Sequence, residues 1–306
     1  MSKMISAGSV PALPRPALMT GLTLAIGGAV LFSAKAIVAK LLYRYQVDAV
    51  TVVAFRMLFS LPLFAAVAIW NMRTKEPLST GDRWRLLFLG LVGYYLSSTL
   101  DFLGLQYISV GLERLLLFLT PTFVLLFSSI FLKQRISGLQ WLALATSYCG
   151  IVLVVAHDLH SGMRNVALGS MLVLGSALAY AVYLIQSGEL VRRIGAVRLV
   201  SYAMCVASAA CIAQFLVLRP VSLLVQPAPV YWLSLANGIF CTIFPVFMTM
   251  VAVQRIGAGT ASQAGMIGPV STLFLGALVL GEAITVIQLA GTVLVLAGIY
   301  LLSRKK

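Results

Sequence analysis

Apolar stretches of membrane-crossing length recur along almost the whole chain, and that pattern decides its fold class. A bilayer's hydrocarbon core is about 30 Å thick and takes about 20 apolar helical residues to cross. Such stretches lie at about 18–42, 49–71, 84–107, 111–132, 138–156, 166–188, 197–218, 230–254, 257–280 and 284–303. In lipid every backbone N–H and C=O must be satisfied within its own segment, which selects helices. The links are short and carry the breakers Lys75-Glu76-Pro77, Ser161-Gly162, Arg219-Pro220 and Pro227-Ala228-Pro229. No soluble domain fits between them. The expectation is an all-α integral membrane protein of ten transmembrane helices.

Composition closes the soluble alternatives. Only 10% of the residues are charged and 61% are hydrophobic, against about 25% charged in a soluble domain. The net charge of +14 raises nucleic-acid binding, but the Lys and Arg residues sit at helix ends and in short loops rather than along one stripe. Cys149, Cys205, Cys211 and Cys241 all lie inside apolar runs and form no CxxC pair, so neither a disulfide framework nor a zinc site is indicated. Lys3 and Arg15 before an apolar run, with Ala34-Lys35-Ala36 after it, have the outline of a signal peptide. An internal repeat argues that the segment stays, because its removal would leave one half without its first helix.

With the N-terminus in the cytoplasm, fifteen basic residues fall on the inner side: Lys3, Arg15, Arg73, Lys75, Arg83, Arg85, Lys133, Arg135, Arg192, Arg193, Arg198, Arg255, Arg304, Lys305 and Lys306. Three fall outside, Arg44, Arg164 and Arg219. By the positive-inside rule both termini are cytoplasmic. The sequence repeats at an offset of 148 residues. Gly21, Gly27, Arg44, Trp84, Gly90 and Gln106 fall on Gly169, Gly175, Arg192, Trp232, Gly238 and Gln254. Ile108, Gly111, Pro121, Leu132, Ile136, Gln140 and Gly150 fall on Ile256, Gly259, Pro269, Leu280, Ile284, Gln288 and Gly298. Five crossings per repeat is an odd number, so the second half enters the membrane from the opposite side. The layout is a cytoplasmic segment 1–17, a first repeat 18–156, an inverted second repeat 166–303 and a cytoplasmic tail 304–306. Inverted repeats are common in secondary transporters, with the substrate near the midplane between the halves.

The stretch Leu100–Ser137, LDFLGLQYISVGLERLLLFLTPTFVLLFSSIFLKQRIS, resembles the signature of the third and fourth helices of the drug/metabolite transporter superfamily, EamA type. Its repeat partner, QRIGAGTASQAGMIGPVSTLFLGALVLGEAIT, fits the same pattern more closely. The resemblance spans essentially the whole chain. It implies ten helices with both ends inside, secondary transport of metabolites, and a place in the bacterial inner (plasma) membrane. Within the superfamily the chain is most similar to the bacterial YddG-type aromatic amino acid exporters. One departure is that the position paired with Glu282 is Gln134, where the family usually has a second glutamate.

Seven ionisable residues lie in or near the edges of the spans: Lys35, Lys40, Arg56, Asp101, Glu113, Arg114 and Glu282. Such groups are costly in lipid and face a cavity or a partner. At about 1.5 Å per residue, Asp101 lies about 9 Å below the outer end of its helix, Glu113 and Arg114 about 5 Å, and Lys35 and Arg56 about 10 Å. Lys35, Arg56, Asp101, Glu113 and Arg114 therefore read as charges of an outer vestibule or as a static cluster tying helix ends together, with Asp101–Arg114 the first candidate pair. Lys40 reads as snorkelling and Glu282 as a helix-end residue. Pro121, Pro245 and Pro269 break helices, the first and last at matching positions. Tyr94, Tyr95, Ser98, Thr99, Tyr180, Tyr183, Phe244, Phe247 and Gln263 are the candidate wall of a substrate cavity, an aromatic lining suited to a flat, partly apolar solute. Ser97 and Thr242 join the same group. His157-Asp158-Leu159-His160 has the look of a metal-site fragment but is too compact for one helix face.

The expected function is secondary export of small metabolites, aromatic or hydrophobic amino acids by the resemblance, through alternating access of the two halves. No GxxxxGK[ST] run holds ATP, so a gradient drives it. Protons are a possible partner, with Asp101 or Glu113 titrating. An uncoupled facilitator, or an exporter of another metabolite or a hydrophobic drug, fits the same sequence. A membrane-embedded lipid-modifying enzyme would need paired carboxylates, a metal-binding acidic run or a Cys–His pair, which the eight acidic residues do not supply. No cofactor or metal is called for. The sequence does not fix the oligomeric state, and a monomer is compatible with it.

Overall fold

The computed structural model describes residues 15–132, 136–160 and 165–303. Residues 1–14 of the expected segment 1–17, the loop residues Lys133, Gln134 and Arg135, Ser161, Gly162 and Arg164, and the tail 304–306 lie outside the described residues. Ten apolar helices make up the described chain: α1 (Leu18–Arg44), α2 (Ala49–Thr74), α3 (Thr80–Leu105), α4 (Val110–Ile130), α5 (Gly138–Leu159), α6 (Val166–Ile194), α7 (Ala196–Leu218), α8 (Ala228–Gly257), α9 (Gln263–Leu280) and the shorter α10 (Val286–Leu301). A helix stands at each of the ten expected spans, nine of them long and apolar enough to cross a membrane and α10 shorter. Helix α6 runs beyond its apolar stretch because Arg192 and Arg193 suit its C-terminal turn.

Local chemistry sets the ends. Asp48 caps α2 by accepting from Val50 N–H at 3.0 Å, Ser79 caps α3 through Asp82 N–H, and Ser109 caps α4 through Leu112 N–H. Two capping boxes stand at the repeat offset: the Gln140 side-chain oxygen accepts from Ser137 N–H before α5, and that of Gln288 from Thr285 N–H before α10. Gly195 and Gly257 adopt left-handed φ of 84° and 77°, where a side chain would be strained, and turn the chain between α6 and α7 and between α8 and α9.

Eight of the ten helices pair across the halves: α1 on α8, α6 on α3, α2 on α7 and α5 on α10. Glycines let these pairs approach closely. A methyl group at Gly150 would lie 2.7 Å from the Gly291 carbonyl oxygen, and one at Gly298 would lie 2.6 Å from that of Ala143. The offset of 148 carries Gly150 to Gly298 and Ala143 to Gly291, so the two contacts exchange with one another. Likewise a methyl at Gly21 would strike Ile256 on α8, and one at Gly169 would strike Ile108 just after α3. Contact positions rise along one helix and fall along the other, so the paired helices are antiparallel. The two halves are therefore related by a pseudo-twofold axis with inverted direction. All four tryptophans, Trp70, Trp84, Trp141 and Trp232, stand exposed near helix ends, where the aromatic ring suits the lipid–water interface.

The same symmetry governs the helix irregularities. Helix α3 winds as a π-helix over Gly90–Leu96 and α8 over Ile239–Ile243. Helix α4 is interrupted at Phe118 and Leu119, between Val110–Leu117 and Thr120–Leu132. Helix α9 is interrupted at Met266, the offset image of Phe118. Pro121 and Pro269 lie in the first turn after these interruptions, and Pro245 is the second residue of the α-helix that continues from the π turn of α8. A proline supplies no N–H and fits best at such a restart.

Candidate functional site

Three helices of the first half, with Arg56 from a fourth, bring five charges together. Lys35 on α1 forms ion pairs with Asp101 on α3 and with Glu113 on α4, the second at 3.3 Å. Arg56 on α2 donates from Nε to the Thr242 hydroxyl at 2.8 Å and from Nη1 toward Ser98 at 3.5 Å, touching the helices just at their π turns. Arg114 on α4 lies against Gly268 of α9, where a methyl would sit 2.5 Å from its Nη2. All five are buried, at 1% to 6% exposure.

Aromatic rings fill the spaces between these charges. The Lys35 ammonium lies 5.1 Å from the Phe32 ring centre and 5.6 Å from that of Phe102. The Arg56 guanidinium lies 5.1 Å from Phe102, and that of Arg114 lies 5.1 Å from Phe32 and 5.2 Å from Phe118. Cation–π attraction strengthens when water is excluded. Asp101 Oδ1, both Glu113 oxygens and Arg114 Nε make no hydrogen bond among the described residues, Glu113 Oε1 having only its ion pair to Lys35. Three cations thus face two carboxylates, with hydrogen-bonding capacity left over on both signs.

The expected Asp101–Arg114 pair is corrected by this geometry. Lys35 projects from α1 between the two acids and takes both, while the missing side chain of Gly268 gives Arg114 a different seat. The five charges expected of a vestibule or a static cluster are buried in this structure. An open cavity of about 270 Å³ does lie at the outer ends of α1, α3 and α9, lined by Lys40, Tyr43, Arg44, Gln106, Leu280 and Glu282. Here Glu282 accepts from Val110 N–H at 3.3 Å at the start of α4, Arg44 donates to the Leu280 carbonyl at 2.7 Å, and Tyr43 donates to the Phe102 carbonyl at 2.7 Å. Burial holds the Glu282 carboxyl above its usual range despite the pull of Lys40 and the Val110 N–H.

The candidate wall residues do not form one surface. Tyr94, Tyr180 and Tyr183 pack on one another, with the Tyr94 and Tyr183 hydroxyls 3.2 Å apart. Tyr95 is half-buried against the main core. Ser98 bonds to Arg56, Ser97 to Ser176, and Thr99 approaches Gln214 at 3.5 Å. Phe247 stacks on Phe64, whereas Phe244 is exposed beside Phe240, and Gln263 is exposed. Residue type does not carry helical phase, and each π turn shifts the phase of the helix beyond it. Phe32, Phe102, Phe118 and Tyr43 escape a reading by residue type, although Phe32 and Phe118 stand three and four residues from Lys35 and Arg114, the spacing of helical neighbours. Asp158 is buried and accepts from the Ser109 hydroxyl at 2.9 Å, with His157 3.4 Å away; the His160 side chain lies outside the described residues. Among the described residues no three His, Cys, Asp or Glu side chains gather to hold a metal.

Comparison with known proteins matches residues 19–156 and again 167–304 to the EamA-like transporter family. An uncharacterized transporter of Bacillus subtilis (strain 168), YcbK, is 30% identical over 270 residues, covering 86% of each chain. An uncharacterized transporter of Archaeoglobus fulgidus is 28% identical over 84% of this chain and 89% of its own. A solved structure described only as "Crystal structure of protein" shares the fold, with a TM-score of 0.65 at 15% identity over 93% of this chain and 96% of its own. The chain belongs to the EamA-like transporter family and is a multi-pass membrane transporter.

Proposed function

From that membership we propose that the chain is a secondary transporter that exports aromatic or hydrophobic amino acids across the bacterial inner membrane, by alternating access between its inverted halves. The observation that carries this reading is the buried cluster of Lys35, Asp101, Glu113 and Arg114 among Phe32, Phe102 and Phe118. An amino acid zwitterion offers a carboxylate, an ammonium and a side chain within a few ångströms of one another. The free Nε of Arg114 suits the carboxylate, the free oxygens of Asp101 and Glu113 suit the ammonium, and the phenyl rings suit an apolar side chain. The paired breaks in α4 and α9 and the paired π turns in α3 and α8 supply matching flexible points on both faces of the site. Protons are the coupling ion this chemistry favours, because a proton can take the place of the substrate's ammonium among the buried carboxylates when the substrate leaves.

The test is counterflow of radiolabelled phenylalanine, tryptophan and tyrosine in proteoliposomes, with and without a pH gradient. Accelerated exchange that the gradient speeds supports the coupled exporter, and exchange indifferent to the gradient leaves an uncoupled facilitator. No counterflow with any amino acid or hydrophobic cation sinks the substrate assignment.

A further inference from the structure

The outer cavity has no part in the proposed export site, yet it repeats the chemistry of the buried cluster. Lys40 and Arg44 supply cations, Glu282 a carboxylate, Tyr43 an aromatic ring and Gln106 an amide. At about 270 Å³ it lies just below the roughly 300–1,000 Å³ of small-molecule sites. Two of its charged groups are held in place, Glu282 by Val110 N–H and Arg44 by the Leu280 carbonyl. The Lys40 ammonium, half-buried, makes no ion pair or hydrogen bond among the described residues. Its side chain lines the cavity.

Tyr43 joins the two sites. Its side chain lines the cavity while its hydroxyl bonds to the carbonyl of Phe102, the residue after Asp101. The site is also one-sided. At the repeat offset Lys40 falls on Gly188 and Glu282 on Gln134, so neither charge is repeated at its image in the sequence.

We infer that the outer cavity is a second binding site for the amino acid zwitterion, a release station in which Lys40 takes the carboxylate and Glu282 the ammonium after the solute has passed Tyr43. This inference rests on the substrate class proposed above. The test is saturation binding of radiolabelled phenylalanine to the purified protein in detergent. The expected result is two molecules bound per chain in the wild type. Lys40→Met and Gln106→Trp should each bind one, with the affinity of the remaining site unchanged. Gln106→Trp fills the cavity from an exposed rim position and decides the matter if Lys40→Met folds poorly. A wild-type stoichiometry of one overturns the second site and leaves the proposed substrate standing. Two bound in the wild type and in both variants overturns its location. No binding by the wild type overturns the proposed substrate and the second site together.

Discussion

The two halves share a scaffold but not a chemistry. Capping boxes at Gln140 and Gln288, interruptions at Phe118 and Met266, π turns before Ser97 and Phe244, and the exchanged contacts of Gly150 and Gly298 all occur twice. The five buried charges occur once. Lys35, Arg56, Asp101, Glu113 and Arg114 all come from the first repeat, and their offset images are Tyr183, Met204, Thr249, Ala261 and Ser262. Under the proposed alternating access, helix breaks are needed on both sides but a recognition site only once, and a second set of desolvated charges would cost stability without adding recognition. The inner face carries its own asymmetry: Asp82–Arg193 and Arg85–Glu189 tie the start of α3 to the end of α6. The offset images of Asp82, Arg85, Glu189 and Arg193 are Val230, Leu233, Leu41 and Tyr45, none of them charged.

The largest expected effect falls on the charged side of this comparison. Lys35→Met removes the ion-pair partner of the buried Asp101 and Glu113, and breaking a buried pair this way costs about 3–5 kcal/mol. Thermal unfolding in detergent should show that loss, and counterflow should vanish. Tyr183→Phe, at the offset image of Lys35, removes one hydroxyl contact with Tyr94 and should cost only about 1 kcal/mol while transport continues. Equal losses from the two variants would end the claim that the chemistry is one-sided.

The scaffold should answer symmetrically. Gly150→Leu and Gly298→Leu each force a side chain against a carbonyl oxygen of the facing helix, and overpacking of this kind costs about 1–3 kcal/mol. The two variants should lower the unfolding temperature by similar amounts. If one is tolerated and the other unfolds the protein, the twofold packing of α5 and α10 is not what joins the halves.

The smallest effects concern two outer carboxylates of opposite behaviour. For Asp48, burial raises the carboxyl, but the Thr51 hydroxyl and Arg219 outweigh it and hold it below its usual range. Its contribution is full above the ordinary carboxylate range and is lost as pH falls through the lowered value. Glu282, raised by burial, does the reverse: the stability tied to its protonated form is present below the ordinary value and lost as pH rises through the raised one. Asp48→Asn keeps the capping oxygen but loses the charge that Arg219 and the helix N-terminus favour, so it should lower stability at neutral pH by about 0.3–1 kcal/mol, and the difference should shrink in acid. Glu282→Gln should flatten the decline between mildly acid and neutral pH. A pH scan of unfolding temperature separates the two, and matching slopes would contradict their assigned environments.

The range of each interaction decides how much of the fold and site is legible in the sequence. The ten crossings rest on apolar length alone, and the offset of 148 needs only Trp, Pro, Gln and Gly in register. The helix restarts at Pro121, Pro245 and Pro269 come from a local property of proline. The partner of Asp101 is not legible in this way, because Lys35 lies 66 residues away on a helix whose rotation no local pattern fixes. The place of Arg114 is hidden because its seat depends on the absent side chain of Gly268, in the other half. The outer cavity is hidden for the same reason, since Lys40, Gln106 and Glu282 come from three separate helix ends.

The central claim is that the buried charges of the first half recognise both ends of a zwitterion. It is tested most directly by comparing phenylalanine with phenethylamine, which lacks the carboxylate, and with 3-phenylpropionate, which lacks the ammonium, as counterflow substrates of the wild-type protein in proteoliposomes. Exchange of phenylalanine alone is the predicted result. Equal exchange of either half-molecule would contradict the claim, because one set of the free groups on Arg114, Asp101 and Glu113 would then be irrelevant to recognition.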